Sequence, residues 1–289
     1  MRDYAITTDS SCDFDQALAD SLGVTVVPLS VQIGPRRFRN APGEAMDSHS
    51  FYQLLSQGEL AQTSAPNVEE FKAVWRPILQ SGRDLLYLGF SSGLSGTYHN
   101  AAIAAEDLRE EFPEARIITV DTLCASLGQG MLVDLTVQEK RQGKTLEEAA
   151  AFAEKNRLHL CHWFTVGDLS QLRRGGRLSA GKAIVGNLLN IKPVLHVDDE
   201  GHLVPMASAK GRKKSIEALV SHMEESAVAP EQQRVYISHG DCLADAQLLA
   251  QMVRDRLHVS SVTIGDVGPV IGAHSGAGTL ALFFVGTHR

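Results

Sequence analysis

The sequence is short of cysteine, of long apolar runs and of positive charge, and each shortage excludes a class of protein. The four cysteines lie far apart without a CxxC pair, so we expect no disulfide framework and a reducing, cytoplasmic location. The longest apolar run, Leu280 to Val285, is far shorter than the roughly 20 residues that cross a bilayer, so no membrane span is expected. The first residues, Met1 to Ile6, lack the apolar stretch of a signal peptide.

The charge balance and the motifs that are missing exclude further classes of protein. The net charge is −7, whereas a general nucleic-acid binder needs a basic face to neutralise phosphates. The Walker A phosphate loop is absent. His159, Cys161 and His162 are metal-ligand types, but the four-ligand spacing of a structural zinc site is missing, so we expect no metal there.

Short apolar runs alternate with helical patterns, which is typical of an α/β protein. The chain has 289 residues, of which 44% are apolar, and this length accommodates two domains and an internal cavity. Arg83–Phe90 contains a continuous apolar run of the kind that is buried on both faces of a parallel sheet. We therefore predict a parallel-sheet α/β domain over residues 1–160 and a mixed-sheet α/β domain over residues 161–289.

Several helix starts carry capping signals. Asn67 with Glu70, and Thr145 with Glu148, have the spacing of capping boxes. Cys242–Leu257 has apolar residues at helical spacing, and Asp241 precedes it as a predicted cap.

Two segments rich in Ser and Thr lie beside predicted helix starts. Thr63 and Ser64 precede the helix that begins near Asn67, and Ser91–Thr97 connects the buried strand to a helix over Tyr98–Arg109. The N-terminus of a helix that follows a strand favours an anion. Ser and Thr also act as plain caps and turn formers, so one such residue does not define a site. Two such segments in one chain favour a shared anion site.

A third segment, Gly268–Gly278, is rich in glycine and contains His274. Glycine permits close approach of the backbone to a ligand, and a histidine can hydrogen-bond a carboxylate. The alternative is a glycine-rich connection with an incidental surface histidine, and the residues alone leave both interpretations open.

Two basic clusters interrupt this acidic chain. Each is either a solvated face or a docking place for phosphate or an acidic partner. The clusters comprise Arg173, Arg174, Arg177 and Lys182, and Lys210, Arg212, Lys213 and Lys214.

Seven motifs occur in order along nearly the whole chain. They are Thr8-Asp9-Ser10, Thr63-Ser64-Ala65-Pro66, Ser91–Tyr98, Asp121 with Ala125–Gly128, Leu172–Leu178, Leu188–Pro193 and Gly268–His274. Each motif alone is weak, but the ordered set resembles the DegV family, the fatty-acid-binding subunits of bacterial fatty acid kinase. The family often has Thr-Gly-Pro-Gly after the histidine, where this chain has Ser275-Gly276-Ala277-Gly278.

The resemblance implies a ligand and its contacts. It implies a two-domain α/β fold with a long-chain fatty acid, such as palmitate, buried between the domains. It also implies that Thr63 and Ser95 hydrogen-bond the carboxylate with His274 nearby, and Ser92 and Ser64 are further candidates. No cofactor, metal or catalytic residue is implied for this chain.

The resemblance also implies a protein partner. A separate ATP-dependent kinase subunit would convert the bound acid to an acyl phosphate for phospholipid metabolism. Arg174, Arg177 and Arg212 would then suit docking of that kinase.

Two alternatives stay open at this point. The first is a serine hydrolase that uses a hydroxyl of Ser91–Ser95 with His274, oriented by Asp9, Asp121 or Asp266. The second is a carrier of another anionic small molecule.

Overall fold

A computed structural model describes residues 2–167, 169–179 and 190–289. Its strands are β1 (Tyr4–Asp9), β2 (Thr25–Val27), β3 (Ser30–Ile33), β4 (Arg36–Arg39), β5 (Ala61–Ser64), β6 (Asp84–Gly89), β7 (Ile117–Asp121), β8 (Leu160–Thr165), β9 (Ile191–Val197), β10 (Leu203–Lys210), β11 (Arg234–His239), β12 (Ser261–Asp266) and β13 (Leu280–Val285). Its α-helices are α1 (Gln16–Leu22), α2 (Ser48–Ser56), α3 (Val68–Gln80), α4 (Thr97–Glu111), α5 (Ser126–Arg141), α6 (Leu146–Asn156), α7 (Ser170–Arg174), α8 (Arg212–Ser226), α9 (Leu243–Leu257) and α10 (Pro269–Ser275).

Within the described residues, the first half of the chain forms a four-stranded parallel sheet of order β2-β1-β6-β7. Strand β6 is buried along its whole length, as its continuous apolar sequence predicts. The carboxyl ends of β1, β6 and β7 meet at one edge, where the loop Ser91–Gly96 leads into α4. Parallel α/β sheets bind ligands beyond this edge.

The second half forms a sheet whose described strands have the order β10-β9-β8-β13-β11-β12. All neighbours in it are antiparallel except β11 and β12, so the sheet is mixed. One face packs on α8 and α9, and the other faces α5. The α/β fold class with a parallel and a mixed sheet is therefore confirmed.

A smaller antiparallel sheet, β4-β3-β5, carries one of the predicted hydroxyl segments. It shares an apolar cluster with α2 and α10, built from Val31, Phe51, Tyr52, Val270 and Ala273. This cluster fixes α10 beside β5, because α10 packs on both β5 and β3.

Helix α5 lies between the two larger sheets and is buried on nearly every side, as expected for a helix packed on both faces. Two glycines allow this close approach. A Cβ at Gly128 would lie 2.2 Å from Nε2 of His162, and a Cβ at Gly130 would lie 2.5 Å from the ring of Phe14. The predicted boundary near residue 160 coincides with the start of β8, but α5 joins both sheets, and the domain division stays a prediction.

The capping predictions have mixed outcomes. The capping boxes of Asn67 with Glu70 and of Thr145 with Glu148 are both confirmed. The predicted cap by Asp241 is wrong, because α9 begins after Cys242 without a side-chain cap and the Asp241 carboxylate instead pairs with His49 at 2.9 Å. Among the described residues, no helix has the length and hydropathy that a membrane span requires.

Candidate ligand-binding site

A cavity of about 240 Å³ lies between the parallel-sheet loops, α10 and the inner face of the mixed sheet. Most of its described lining is apolar, as is typical of a small-molecule pocket. The apolar residues are Leu29, Ala65, Phe90, Leu94, Ala125, Phe164, Leu172, Val197, Leu203, Val267, Val270, Ile271, Ala281 and Phe283.

The cavity floor is one face of the mixed sheet. Since side chains alternate along a strand, His162 and Phe164 on β8 share a face, as do Ala281 and Phe283 on β13. The register places Phe164 opposite Ala281, and Ala281 opposite Ser238 on β11. We call these five residues the cavity floor.

Thr63 and His274 meet at the cavity wall. The Thr63 Oγ1 and His274 Nε2 atoms are 2.8 Å apart, although 211 positions separate them in the sequence. Thr63 lies on β5, where alternation turns its neighbour Ser64 to the opposite, exposed face. Of the two predicted hydroxyls in this segment, Thr63 lines the cavity and Ser64 lies outside it.

The serines of the loop after β6 also have different environments. Ser95 lines the cavity, and its Oγ lies 2.9 Å from Oγ1 of Thr97 and accepts from the Thr97 amide at 3.3 Å. Ser92 is exposed, and its amide donates to Asp121 at 3.2 Å. Ser91 is buried and donates to the carbonyl of Gly201 at 2.9 Å. The geometry therefore favours Ser95 as the ligand contact of this loop.

His274 lies on α10, so the glycine-rich connection considered for this segment is in fact a helix. Pro269 occupies its first turn, and Gly272 allows contact with Tyr52, whose Oη would lie 2.5 Å from a Cβ at that position. Burial, and to a smaller extent the positive charge of Arg177, together lower the pKa of His274 to about 4. The imidazole is therefore neutral at neutral pH and can donate or accept one hydrogen bond at each nitrogen.

Arg177 lines the same part of the cavity. Its Nε donates to the carbonyl of Leu94 at 3.3 Å, and its Nη1 donates to the carbonyl of Gly175. These bonds anchor a half-buried guanidinium beside Thr63, Ser95 and His274. The residue predicted for partner docking thus lies where it can also meet a ligand anion.

The other two predicted docking arginines have different environments. Arg174, at the end of α7, is exposed. Arg212 is engaged within the chain, since its Nε donates to Asp245 at 2.8 Å and its Nη2 to Cys242 Sγ at 3.4 Å. Arg174 is therefore the freer of the two for a partner. Lys182 of the first cluster lies outside the described residues, as do the first two residues of the Leu188–Pro193 motif.

The cavity lining contains further hydroxyls that the sequence did not single out as ligand contacts. They are Ser126, Ser238, Ser275 and Thr279. Ser126 Oγ lies 2.5 Å from Asp13 Oδ2 and 3.0 Å from Ser238 Oγ. Burial raises the pKa of the Asp13 carboxyl to about 8, although its other oxygen accepts from the Gly268 amide at 3.1 Å. Asp13, Ser126, Ser238 and Gly268 come from four separate segments, so only tertiary packing brings them together.

The three carboxylates considered for a hydrolase interact with residues other than His274. Asp9 accepts from Tyr87 Oη at 2.7 Å, Asp121 accepts from the amides of Ser92 and Leu123, and Asp266 lies 3.5 Å from His239. Within the described part of the chain, none of these orients His274 toward a serine. The described residues thus do not form the arrangement that nucleophilic catalysis by serine requires.

The segment His159–His162 is held by the backbone. Cys161 Sγ donates to the His288 carbonyl at 3.4 Å, and His162 Nδ1 lies 2.8 Å from the Leu160 carbonyl, so it carries the proton. The four cysteine thiols are unpaired.

Comparison with known proteins gives a consistent family. The model of the "Uncharacterised protein, DegV family" matches residues 3–287. A DegV domain-containing protein of Clostridium perfringens is 41% identical over 286 residues, which are 99% of this chain and 98% of that protein.

Solved structures are similar over the same length. One concerns fatty acid binding of a DegV family protein from Thermus thermophilus; it is 33% identical with a TM-score of 0.87, and the match covers 98% of this chain and 99% of that one. Another is DegV, a fatty acid binding protein from Bacillus subtilis, at 28% identity and a TM-score of 0.85, with 98% and 99% covered. The α/β architecture described above is thus shared with these proteins.

Proposed function

This chain belongs to the DegV family, and on that basis we propose that it binds one long-chain fatty acid, such as palmitate, in the cavity. The carboxylate lies at Thr63, Ser95, His274 and Arg177, which we call the head-group site. The acyl chain runs over the cavity floor, so that residues 161–289 close over it.

The observation that carries this proposal is a mostly apolar cavity in which Arg177 is the only lysine or arginine among the described lining residues. Arg177 and the Thr63–His274 pair lie together, 2.8 Å separating the two side chains of that pair. A carboxylate there accepts hydrogen bonds from hydroxyls and a guanidinium, and such charge-assisted bonds are the stronger ones. The fatty acid binding of the similar proteins from Thermus thermophilus and Bacillus subtilis supports the same ligand class.

The two parts of the ligand contribute differently to affinity. Each buried methylene stabilises the complex by about 0.8 kcal/mol, so a long acyl chain contributes on the order of 10 kcal/mol before ordering costs. A hydrogen bond to a charged group contributes about 1.5–3 kcal/mol. The acyl chain therefore dominates affinity, while the head-group site fixes the orientation of the carboxylate.

Native mass spectrometry of protein purified from cells tests the proposal. We expect one non-covalent adduct per chain with the mass of a long-chain fatty acid, because the buried chain dissociates slowly. Delipidated protein should regain that adduct from added palmitate. A co-purified phosphorylated metabolite, together with failure to take up palmitate, would show that the ligand class is wrong.

We further propose that a separate ATP-dependent kinase subunit receives the bound acid in the cytoplasm. The carboxylate attacks the terminal phosphate of ATP, ADP leaves, and the acyl phosphate enters phospholipid metabolism. Arg174 is exposed at the end of α7, three residues before Arg177, and this proximity supports a docking role beside the head-group site.

Substitution of Ser95 distinguishes fatty acid binding from the delivery of its carboxylate to the kinase subunit. Ser95→Ala is expected to retain measurable fatty acid, because the acyl chain supplies most of the affinity. The kinase-coupled rate of acyl-phosphate formation should fall about tenfold, because a misplaced carboxylate has lost one charge-assisted bond. Ser92→Ala is the matched control, since Ser92 is exposed in the same loop. Full turnover by the Ser95 variant would contradict the assignment.

A further inference from the structure

Three serines of the cavity lining lie apart from the head-group site and have spare hydrogen-bonding capacity. They are Ser126 at the start of α5, Ser238 on the cavity floor and Ser275 at the end of α10. We call them the inner hydroxyls. Ser275 follows His274 directly in the sequence. Consecutive helical residues point about 100° apart, so the two side chains face different parts of the cavity wall.

The bonding of the inner hydroxyls is incomplete within the described residues. A serine hydroxyl offers one donor and two acceptor positions. Among the described residues, Ser275 is 6% exposed and its Oγ has no hydrogen-bond partner. Ser238 is fully buried, and its Oγ is hydrogen-bonded only to Ser126 Oγ, at 3.0 Å. Buried polar groups are nearly always paired, so this pattern calls for a polar group in the cavity. A plain hydrocarbon chain supplies none.

Electrostatics decides which polar group fits there. Ser126 Oγ lies 2.5 Å from the carboxyl of Asp13. A ligand carboxylate beside that group would lie where burial already disfavours the charged form of a carboxyl, as the raised pKa of Asp13 shows, whereas at the head-group site it meets Arg177. The region of the inner hydroxyls therefore suits a neutral group that both donates and accepts, and a hydroxyl is the smallest such group.

We propose that this protein prefers a long-chain fatty acid that carries a hydroxyl on its acyl chain, bonded to Ser238 and Ser275. This inference rests on the proposed fatty acid binding and narrows its ligand class. The carboxylate occupies the head-group site, and the chain hydroxyl lies over the cavity floor, with the apolar residues around Ala281 holding the methylenes on either side.

Competition binding against a fluorescent fatty acid tests the preference. The probes are octadecanoic acid and a series of monohydroxy octadecanoic acids that differ in the position of the hydroxyl. We expect at least one isomer to bind about tenfold more tightly than the parent acid, since it pairs buried hydroxyls that the parent leaves unpaired. Ser275→Ala and Ser238→Ala should each reduce this ratio several-fold toward unity.

Ser56→Ala provides the matched control, because Ser56 is exposed at the end of α2 and its hydroxyl donates locally, to the Gln53 carbonyl. In this variant, the ratio of the affinity for the hydroxy acid to the affinity for octadecanoic acid should equal that of the wild type. Equal or tighter binding of the parent acid than of every isomer would overturn the inference and indicate that water fills the gap. A preference that survives both cavity substitutions would also overturn it. If neither octadecanoic acid nor any isomer bound, the proposed function itself would fail.

Discussion

Replacing Ala281 by Phe is expected to reduce fatty acid affinity by about two orders of magnitude or more. Ala281 is in the middle of the cavity floor, opposite Phe164 on one side and Ser238 on the other. A phenyl ring there projects into a cavity of about 240 Å³ and displaces part of the acyl chain. Exclusion of about four methylenes, at about 0.8 kcal/mol each, corresponds to roughly a hundredfold loss.

The same substitution at Ala207 is the control. Ala207 lies on β10 and is exposed, so a phenyl group there does not enter the cavity. Titration of delipidated protein with palmitate measures both affinities, and thermal unfolding followed by circular dichroism shows whether each variant is folded. Wild-type affinity in a folded Ala281→Phe variant would place the acyl chain elsewhere.

Replacing Arg177 by Gln is expected to weaken fatty acid binding at least tenfold while leaving the affinity for a fatty alcohol of the same length nearly unchanged. The guanidinium is half-buried and anchored to the carbonyls of Leu94 and Gly175. A charge-assisted bond contributes about 1.5–3 kcal/mol, which corresponds to about ten- to a hundredfold in affinity. An alcohol has no charge to lose, so the acid-to-alcohol ratio isolates the electrostatic contribution.

Arg174→Gln distinguishes ligand binding from partner docking. Arg174 is exposed in the same segment, so its substitution should leave both affinities unchanged and should instead slow kinase-coupled turnover. An equal loss of acid and alcohol affinity in the Arg177 variant would show that its effect is structural. The docking role of Arg177 stays a prediction that the same turnover measurement tests.

Much of the fold could be predicted because it depends on local signals. The continuous apolar run of β6, and the capping boxes at Asn67 and Thr145, use residues near one another in sequence, and the structure forms each element where the sequence places it. Asp241 shows the limit of this reasoning. A competing tertiary contact with His49 withdraws its carboxylate from the helix start.

The candidate site could be predicted only in part. Thr63 and Ser95 lie in segments whose composition signals an anion site, and the family motifs add His274. Strand alternation and loop packing then separate Thr63 from Ser64, and Ser95 from Ser92, which composition does not distinguish. Ser126 and Ser275 lie in or beside the family motifs, but nothing in those motifs marks them as ligand contacts, and Ser238 is an isolated serine in an apolar strand.

The sequence by itself determined the α/β class, the family and the segments that supply the head-group site, since these follow from local pattern and ordered motifs. Only the tertiary structure decided that Arg177 lies against the cavity and that Asp13 lies behind Ser126. The physical reason is that both arrangements depend on how α5, α10 and two sheets pack together. Such packing joins residues more than 100 positions apart, and no local pattern records it.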